Sequence, residues 1–394
     1  MFEHLPLPSP DEIVPLMIRA SKDIRAEKID MTVGVYRNDM GQTPIMKAVR
    51  EADKYLSVHR KTKCYVGPLG DADFVASVKR LAFPKKIQSK FIRGIQTPGG
   101  SSALSLILNL VKKAQPDMKV WISDPSYANH GPTITSIGLG LAKYPFLNRE
   151  TMMLRPTSLM ETLNCLGPSD AVLFHGSCHN PSGLKLSEDY WHKIAGIARE
   201  KGFYPIIDTA YQGLGDGLTE DAEGLMIMAE SVDNLALSFS CSKNFGLYND
   251  RVGCAFLMSS SEQEVDQGQL QLASLARPAH WVPPQNGAEI VKHILSTPQL
   301  KTMWLEELNT MNNRLIRLRE KLADALRIET GTKTYDFIAE NSGMYSMLPA
   351  TAVQMETLRK DYAVYGLDDG RINIAGLGMN KISHAAKSIA AVLL

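Results

Sequence analysis

The chain has 394 residues, with 43 Lys and Arg against 42 Asp and Glu, a formal net charge of +1, and 44% hydrophobic residues. This balance carries no overall signal for nucleic acid or an anionic membrane surface, no apolar run is long enough for a membrane helix, and the length predicts two domains. The five cysteines form no C-x-x-C pair, which favours reduced thiols in a cytoplasmic protein over a disulfide framework or a zinc site.

Helical patterns alternate with short apolar runs over most of the chain. Because such runs are typical of strands buried on both faces and helices separate them, they predict an α/β fold with a mostly parallel sheet. The predicted strands are 119–123, 171–175, 204–208, 235–239 and 252–258. A helix is predicted over 188–201, ending at Gly202. A long charged helix over 301–327 then leads into shorter elements, which predict a second, smaller domain.

A glycine-rich loop lies between the apolar run 91–96 and the helical stretch 103–112, and it contains Gly100 and Ser101. Glycine lets the backbone approach a ligand closely, and a helix N-terminus offers free amides to an anion. The loop is therefore a candidate phosphate site, and an ordinary helix cap is the alternative.

Asn180 lies just beyond the predicted strand 171–175, in a stretch that also contains His175, Cys178 and His179. The histidines and the cysteine suggest a metal site, but their spacing matches no zinc pattern, so no metal is expected. Asn180, followed by a proline, is a candidate donor to a ligand ring oxygen. A structural turn is the alternative.

Asp208 directly follows two isoleucines of a predicted buried strand. A carboxylate there is costly unless it meets a cation or several donors, and a protonated pyridine nitrogen would be such a cation. That pairing would keep the ring an electron sink. Tyr211, three residues on, could reach the phenolic oxygen of the same ring. The alternative is that Asp208 caps the next helix.

Lys243 stands among small hydroxyl residues after an apolar run. Partial desolvation favours its neutral amine, which can form a Schiff base with an aldehyde. Ser240, Ser242 and Arg251 offer donors to a phosphate. An aldehyde together with a phosphate describes pyridoxal 5′-phosphate, and a solvated loop lysine is the alternative.

Arg371 lies in an apolar strand pattern near the end of the chain. A guanidinium there suits bidentate binding of a carboxylate, whereas a surface arginine on an edge strand is the alternative.

The order of these motifs closely resembles the aspartate/aromatic aminotransferase family of fold type I pyridoxal phosphate enzymes. The resemblance extends from the segment 33–37 to Arg371, and its most specific part is 242–253. It implies a large cofactor-binding domain over 45–305. It also implies a small α/β domain built from 306–394 and part of an N-terminal arm, 1–44. The family forms homodimers, so a homodimer is expected.

The resemblance implies individual roles for these residues. Lys243 would form the Schiff base, Asp208 would pair with the pyridine nitrogen, and Asn180 and Tyr211 would bind the phenolic oxygen, with His130 and His175 behind Asp208. The phosphate would be held by Gly100, Ser101, Ser240, Ser242 and Arg251, with Tyr65 reaching the neighbouring subunit's phosphate. Substrate would meet Arg371 at its α-carboxylate, a closing loop around Gly34, and Arg277 donated across the dimer to a distal carboxylate.

Two departures from the family pattern bear on specificity. Tyr127 stands where the family usually has a tryptophan over the cofactor ring, and a phenol can stack and donate a hydrogen bond but covers less area. Arg277 is followed by bulky residues that include Trp281. A substrate-binding role is expected for Tyr127 and for Asn180.

The predicted activity is a ping-pong transamination of aromatic and/or dicarboxylic L-amino acids with 2-oxoglutarate. Strict aspartate specificity is the alternative, and a lyase or decarboxylase reaction on the same cofactor is less favoured. A regulator built on this scaffold would carry a basic DNA-binding segment, which the chain lacks. The glycine-rich run 213–217 lacks the G-x-G-x-x-G spacing of a dinucleotide site.

Overall fold

The computed structural model describes residues 2–4 and 13–394, so residues 1 and 5–12 of the predicted N-terminal arm lie outside the described part. The strands are β1 Ile29–Asp30, β2 Phe91–Pro98, β3 Lys119–Asp124, β4 Gly140–Pro145, β5 Asp170–His175, β6 Tyr204–Thr209, β7 Leu235–Ser240, β8 Val252–Ser259, β9 Tyr345–Met347, β10 Val364–Tyr365 and β11 Arg371–Asn373. The helices are α1 Ile13–Lys22, α2 Lys47–His59, α3 Ala72–Ala82, α4 Gly99–Ala114, α5 His130–Ser136, α6 Pro156–Asn164, α7 Glu188–Lys201, α8 Glu223–Ser231, α9 Glu262–His280, α10 Asn286–Ser296, α11 Pro298–Thr330, α12 Phe337–Glu340, α13 Ala352–Tyr362 and α14 Ile382–Leu393. Among the described residues, no helix is both long enough and apolar enough to traverse a lipid bilayer.

Within residues 13–394, seven strands form the central sheet in the order β2-β8-β7-β6-β5-β3-β4. Strand β8 runs antiparallel to both of its neighbours, and the other pairs are parallel. Successive residues of one strand enter two different hydrophobic clusters, as Ile206 and Ile207 do in β6. Both faces of the sheet are therefore buried, and the predicted α/β fold with a mostly parallel sheet is confirmed.

The predicted elements agree closely with the observed ones where apolar runs are continuous. All five predicted strands are present within two residues at each end, and α7 has the predicted bounds, with Gly202 ending it at φ 74°. Strand β4 was not predicted. It lies at the sheet edge with Tyr144 as its one buried residue, so its sequence contains no apolar run.

A smaller α/β unit joins the two ends of the chain. Strand β1 pairs in parallel with β10, and β9 pairs antiparallel with β11. The Tyr365 hydroxyl donates to Asp23 at 2.7 Å, which ties the segment after α1 to β10. The N-terminal segment thus completes the C-terminal part, as expected. The boundaries at 44/45 and 305/306 stay a prediction, because α11 runs unbroken through residues 305 and 306.

The topology places several strand ends together. Strands β5, β6 and β7 are parallel and end at His175, Thr209 and Ser240. Strand β2 runs in the same direction as β7, because each is antiparallel to β8, so the N-terminus of α4 lies at the same edge. Open α/β sheets bind their ligands at this edge.

Candidate active site

A cavity of about 460 Å³ opens at this edge of the sheet. It brings together ten residues that the sequence singled out on five separate segments. These residues are Gly100, Ser101, Tyr127, Asn180, Asp208, Tyr211, Ser240, Ser242, Lys243 and Arg251. Crossover connections bring the chain back to the same edge of the sheet each time, so residues that are far apart in sequence lie close together in space.

Lys243 follows β7 and lines the cavity with its amine 5.1 Å from the centre of the Tyr211 ring. Burial lowers the pKa of Lys243 from its ordinary value of 10.5 to about 8, although the nearby carboxylate of Asp208 acts in the opposite direction. A substantial fraction of the amine is therefore neutral, and nucleophilic, near physiological pH.

Asp208 lies near the end of β6 with a side chain that is only 15% exposed. Burial would raise the pKa of its carboxyl, but the hydrogen bond from His130 and the interactions with His175 and Ser238 outweigh burial, so the pKa is lowered. The Nε2–H of His130 donates to Oδ2 of Asp208 at 3.1 Å. Asp208 is therefore a buried carboxylate, positioned to face a cation in the cavity.

A chain of hydrogen bonds behind Asp208 sets the orientation of its histidine partner. The backbone N–H of Asn180 points to Nδ1 of His175 at 3.5 Å, so Nε2 of His175 carries the hydrogen and faces the Ser126 hydroxyl at 3.4 Å. Ser126 then donates to Nδ1 of His130 at 2.9 Å, which leaves Nε2–H of His130 for Asp208. Burial lowers the pKa of His175 to about 3, so this ring stays neutral.

Asn180 and Tyr211 meet on the wall of the cavity. The amide Nδ2 of Asn180 donates to the Tyr211 hydroxyl at 3.2 Å. Asn180 is buried, and its Oδ1 has no hydrogen-bond partner among the described residues. Burial raises the pKa of Tyr211 well above its ordinary value, so the phenol keeps its hydrogen. The pair thus offers polar groups that the protein itself leaves available.

The end of the cavity formed by the N-terminus of α4, Ser240 and Arg251 is suited to binding an anion. The N-terminus of α4 opens at Gly99, and a Cβ on Gly99 would lie 2.6 Å from the Arg251 guanidinium. A Cβ on Gly100 would lie 2.9 Å from that of Ser240. Free helix amides, hydroxyls and a guanidinium converge there because glycine allows the close approach.

Tyr127 lines the cavity beside Asn129, a residue that the sequence did not single out for a role. The Nδ2 of Asn129 donates to the Tyr127 hydroxyl at 3.0 Å. The ring of Tyr127 meets that of His130 edge-on, with 5.3 Å between centroids. Asn129 directly precedes His130 in the sequence, but no local pattern marks an asparagine as a partner for a phenol.

Two predicted site residues lie away from the cavity. Tyr65 is 85% exposed, and Arg277 is exposed near the end of α9. The Arg277 guanidinium lies 4.4 Å from the centre of the Trp281 ring, and Trp281 is itself half exposed. Neither Tyr65 nor Arg277 lines the cavity of its own chain.

Gly34 and Arg371 also lie outside the cavity lining, but beside it. Arg371 is buried in β11, and its Nε has no partner among the described residues. A Cβ on Gly34 would lie 1.8 Å from the hydroxyl of Tyr345, whose ring contacts that of Tyr211. No local pattern marks Tyr345 as a candidate site residue, because it follows neither a glycine-rich loop nor a long apolar run.

Two sequence features that suggested a metal site or a dinucleotide site have their polar groups hydrogen-bonded within the protein. His179 has one ring nitrogen 2.8 Å from Ser123 Oγ and the other 2.8 Å from Ser182 Oγ. In the glycine-rich run 213–217, three backbone amides donate to the buried carboxylate of Asp221 at 2.8–2.9 Å. The anion that this loop binds is therefore the protein's own.

The residues of the cavity fit pyridoxal 5′-phosphate. Its anionic group matches the α4 N-terminus and Arg251, its ring nitrogen matches Asp208, and its aldehyde matches Lys243. The Oδ1 of Asn180, which has no partner among the described residues, leaves a polar group free in the same cavity. The donor set is thus complementary to a bound group with one anionic and one cationic end.

Comparisons with known proteins agree with this fit. Residues 26–389 match the family model for aminotransferases of class I and II. The chain is 38% identical over 389 residues to the aromatic-amino-acid aminotransferase of Paracoccus denitrificans, with 99% of each chain covered. It is 36% identical over 396 residues to the aspartate aminotransferase of Escherichia coli (strain K12), with 100% of each covered.

A solved structure gives the same result at the level of the fold. The aromatic-amino-acid aminotransferase from Burkholderia pseudomallei, covalently bound to pyridoxal phosphate, superposes with a TM-score of 0.96. The two chains are 30% identical, and 100% of each is covered.

Proposed function

Since this chain belongs to the class I and II aminotransferases and is a pyridoxal 5′-phosphate-dependent aminotransferase of the aromatic-amino-acid and aspartate type, we propose that it accepts both aromatic and dicarboxylic L-amino acids, with 2-oxoglutarate as the acceptor. The observation that supports the chemistry is the convergence of a lysine of lowered pKa, a buried carboxylate and an anion-binding helix N-terminus on one cavity.

We propose the following roles in holding the cofactor. The residues for its phosphate are Gly100, Ser101, Ser240, Ser242 and Arg251. Asp208 faces the ring nitrogen, with His130 fixing the orientation of the carboxylate. Asn180 and Tyr211 donate to the ring oxygen, and Tyr127 stacks on the ring. When bound, this cofactor withdraws electrons from the substrate carbon that loses its proton.

Lys243 is proposed as the residue that attaches the cofactor and then moves the proton. After the amino group of the substrate has displaced Lys243 from the cofactor, the freed neutral Nζ accepts the proton from the substrate Cα and holds it as an ammonium group within the cavity. Asp208 stays ionised beside it, which favours positive charge on the ring nitrogen throughout. The amino acid and the oxo acid use the same groups in alternation, which accounts for ping-pong kinetics.

Substrate specificity follows from the groups around the cavity. Arg371 is proposed to bind the α-carboxylate, since a buried guanidinium with an unpartnered Nε provides a fork for it. The loop around Gly34 is proposed to cover the substrate. The phenol of Tyr127 and the ring of Trp281 beside Arg277 supply apolar surface for an aromatic side chain, while Arg277 supplies charge for a distal carboxylate.

We propose a homodimer, in which a second copy supplies Tyr65 and Arg277 to the cavity. Their exposure and their position outside the cavity of their own chain support this assignment. A cytoplasmic location is also proposed. The free state of the cysteines, among them the exposed Cys64 and Cys165, supports a reducing compartment.

A substrate panel tests the proposed function. The purified protein, loaded with pyridoxal 5′-phosphate, is expected to convert Phe, Tyr, Asp and Glu to their oxo acids with values of kcat/KM that lie within about a hundredfold of one another. Lys243→Ala is expected to lose the visible absorbance of the attached cofactor and to lower kcat by about 10⁴-fold or more.

Lys193→Ala is the matched control, because Lys193 is an exposed lysine on α7 that does not line the cavity. It is expected to behave as the wild type. If Lys243→Ala keeps both absorbance and turnover, another lysine does the chemistry. Activity on aspartate with none on phenylalanine would rule out the dual preference and favour strict aspartate specificity.

A further inference from the structure

Three segments that contain proposed substrate-binding or cofactor-binding residues meet at Tyr345. This tyrosine begins β9 and is only 7% exposed. Its ring meets the ring of Tyr211 at 90°, with 5.9 Å between centroids. Its hydroxyl lies against the backbone of Gly34, where a Cβ would approach to 1.8 Å. The phenol therefore fills the space between the wall of the cavity and the loop around Gly34.

Arg371 lies on the same side of the small sheet as Tyr345. In the β9–β11 pair, Tyr345 is opposite Asn373 and Met347 is opposite Arg371, so these four residues share one face. Burial raises the pKa of Tyr345, and the charge of Arg371 opposes that rise, as expected for a guanidinium near the phenol. The charge of Arg371 also opposes the rise that burial causes in the pKa of Tyr127, another residue that lines the cavity.

The backbone at Tyr345 is held by a buried cation. The guanidinium of Arg319 is 1% exposed and donates to the carbonyls of Tyr345, Ile338, Ser342 and Gly343. Such a set of contacts leaves little freedom for the start of β9. The hydroxyl of Tyr345 is therefore presented from a rigid support, as a recognition group must be.

We propose that Tyr345 is a substrate-binding residue whose hydroxyl donates a hydrogen bond to the carboxylate held by Arg371. A carboxylate has about four lone-pair sites, of which a bidentate guanidinium uses two, so a second donor has a place to bind. The ring of Tyr211 also contacts that of Tyr345, but the hydroxyl of Tyr211 is assigned to the ring oxygen of the cofactor. This inference rests on the proposed function, which assigns the carboxylate to Arg371.

Tyr345→Phe tests the proposal, because it keeps the ring and removes only the hydroxyl. The loaded enzyme is titrated with 3-phenylpropionate, a carboxylate that cannot react, and binding is followed by calorimetry. The dissociation constant is expected to rise about 10-fold or more, since a hydrogen bond to a charged group is lost. The KM of both amino acid and oxo acid is expected to rise, while kcat changes by less than about threefold.

Two controls isolate the carboxylate contact. Tyr335→Phe removes the hydroxyl of another buried tyrosine, which packs near Phe337 and not near the cavity, and it is expected to bind as the wild type does. The neutral analogue 3-phenylpropionamide keeps an acceptor oxygen but has no charge, so Tyr345→Phe is expected to weaken its binding less than that of 3-phenylpropionate.

The outcomes separate this inference from the proposed function. A wild type that transaminates, with Tyr345→Phe binding 3-phenylpropionate as tightly, overturns the inference and leaves the function standing. If Tyr345→Phe instead shifts the pH titration of the cofactor absorbance without changing carboxylate binding, the hydroxyl serves Tyr211, which also overturns it. A wild type that neither binds the cofactor nor transaminates would contradict the proposed function itself.

Discussion

At the scale of single residues, burial shifts the pKa values of two ionisable groups in the cavity, Lys243 and Asp208, in opposite directions. Burial lowers the pKa of Lys243, so the charged amine is disfavoured. Burial also disfavours the charged form of Asp208, but the hydrogen bond from His130, together with the interactions with His175 and Ser238, outweighs burial and lowers the pKa of the carboxyl. A neutral amine and a carboxylate therefore coexist in one site.

The lowered pKa of Lys243 leads to a prediction about pH. The neutral amine becomes the main form as the pH rises through about 8, well below the ordinary value of 10.5. The rate at which the cofactor-free protein gains visible absorbance with pyridoxal 5′-phosphate is therefore expected to rise from pH 6 to 10, with a half-point near 8. Borohydride reduction followed by peptide mapping identifies the modified lysine.

The exposed Lys193 provides the internal control in that experiment, since its peptide is expected to carry little label at pH 8. A half-point near 10, or comparable label on Lys193 and Lys243, would show that the cavity does not perturb this amine.

At the scale of elements, the segment 33–36 is fixed from two sides. The Nδ2 of Asn373 donates to the carbonyls of Val33 and Val35 at 2.6 and 2.8 Å. The backbone N–H of Tyr36 donates to the Tyr248 hydroxyl at 2.9 Å. The bonds from Asn373 join the segment to the small sheet, and the bond to Tyr248 joins it to the loop after Lys243. The segment therefore links the small sheet to that loop, and its Gly34 lies against Tyr345.

Gly34→Ala is expected to lower kcat/KM by about 10- to 100-fold. Its Cβ would lie 1.8 Å from the Tyr345 hydroxyl, neither side can move freely, and overpacking of this kind costs about 1–3 kcal/mol. Steady-state kinetics with phenylalanine measure the loss. The double variant Gly34→Ala, Tyr345→Phe is expected to recover part of it, because the next atom is Cζ at 3.1 Å.

Gly196→Ala in α7 is the matched control for that pair, because its Cβ would meet no atom within 4 Å among the described residues. It is expected to leave kcat/KM unchanged. The losses of kcat/KM are compared as free energies. If the loss in the double variant equals the sum of the losses in the two single variants, the contact between Gly34 and Tyr345 is not the cause.

At the scale of the whole molecule, the proposed homodimer would form a site shared between two copies. Tyr65 is 85% exposed, and Arg277 stacks on the half-exposed Trp281. An isolated copy would hold these side chains in solvent. In a symmetric dimer each copy can supply them to the other, which follows from the two-fold relation between the subunits.

Mixing two variants that are each expected to be inactive on aspartate tests the shared site. Lys243→Ala lacks its own catalytic amine, and Arg277→Ala lacks the group offered to its partner. After co-refolding, the mixed dimer contains one complete site. Activity on aspartate is expected to reach about one quarter of the wild-type value, because about half of the dimers are mixed and each has one active site.

Activity on phenylalanine provides the control for that mixture, since Arg277→Ala alone is expected to retain it. If mixing restores nothing on aspartate beyond the sum of the separate variants, Arg277 acts within its own subunit or has no role in binding the distal carboxylate.

The chain's local patterns were sufficient for five strands of the seven-stranded sheet and for ten of the residues lining the cavity. Continuous apolar runs marked β3, β5, β6, β7 and β8, because strands buried on both faces need apolar side chains throughout. The polar residues that end those strands were found for the same reason: a polar group after a buried strand requires a partner. The edge strand β4 escaped prediction, since little of it is buried.

What the sequence determined by itself was therefore the identity of ten groups that line the cavity, each of which lies in a distinctive local setting. The tertiary structure alone decided which groups face one another. The contact of Tyr345 with Gly34, the hydrogen bond from Asn129 to Tyr127 and the chain from His175 through Ser126 to His130 join side chains whose neighbours in sequence are unremarkable for these roles. Such contacts depend on the packing of separate elements, and packing distances cannot be derived from local pattern or composition.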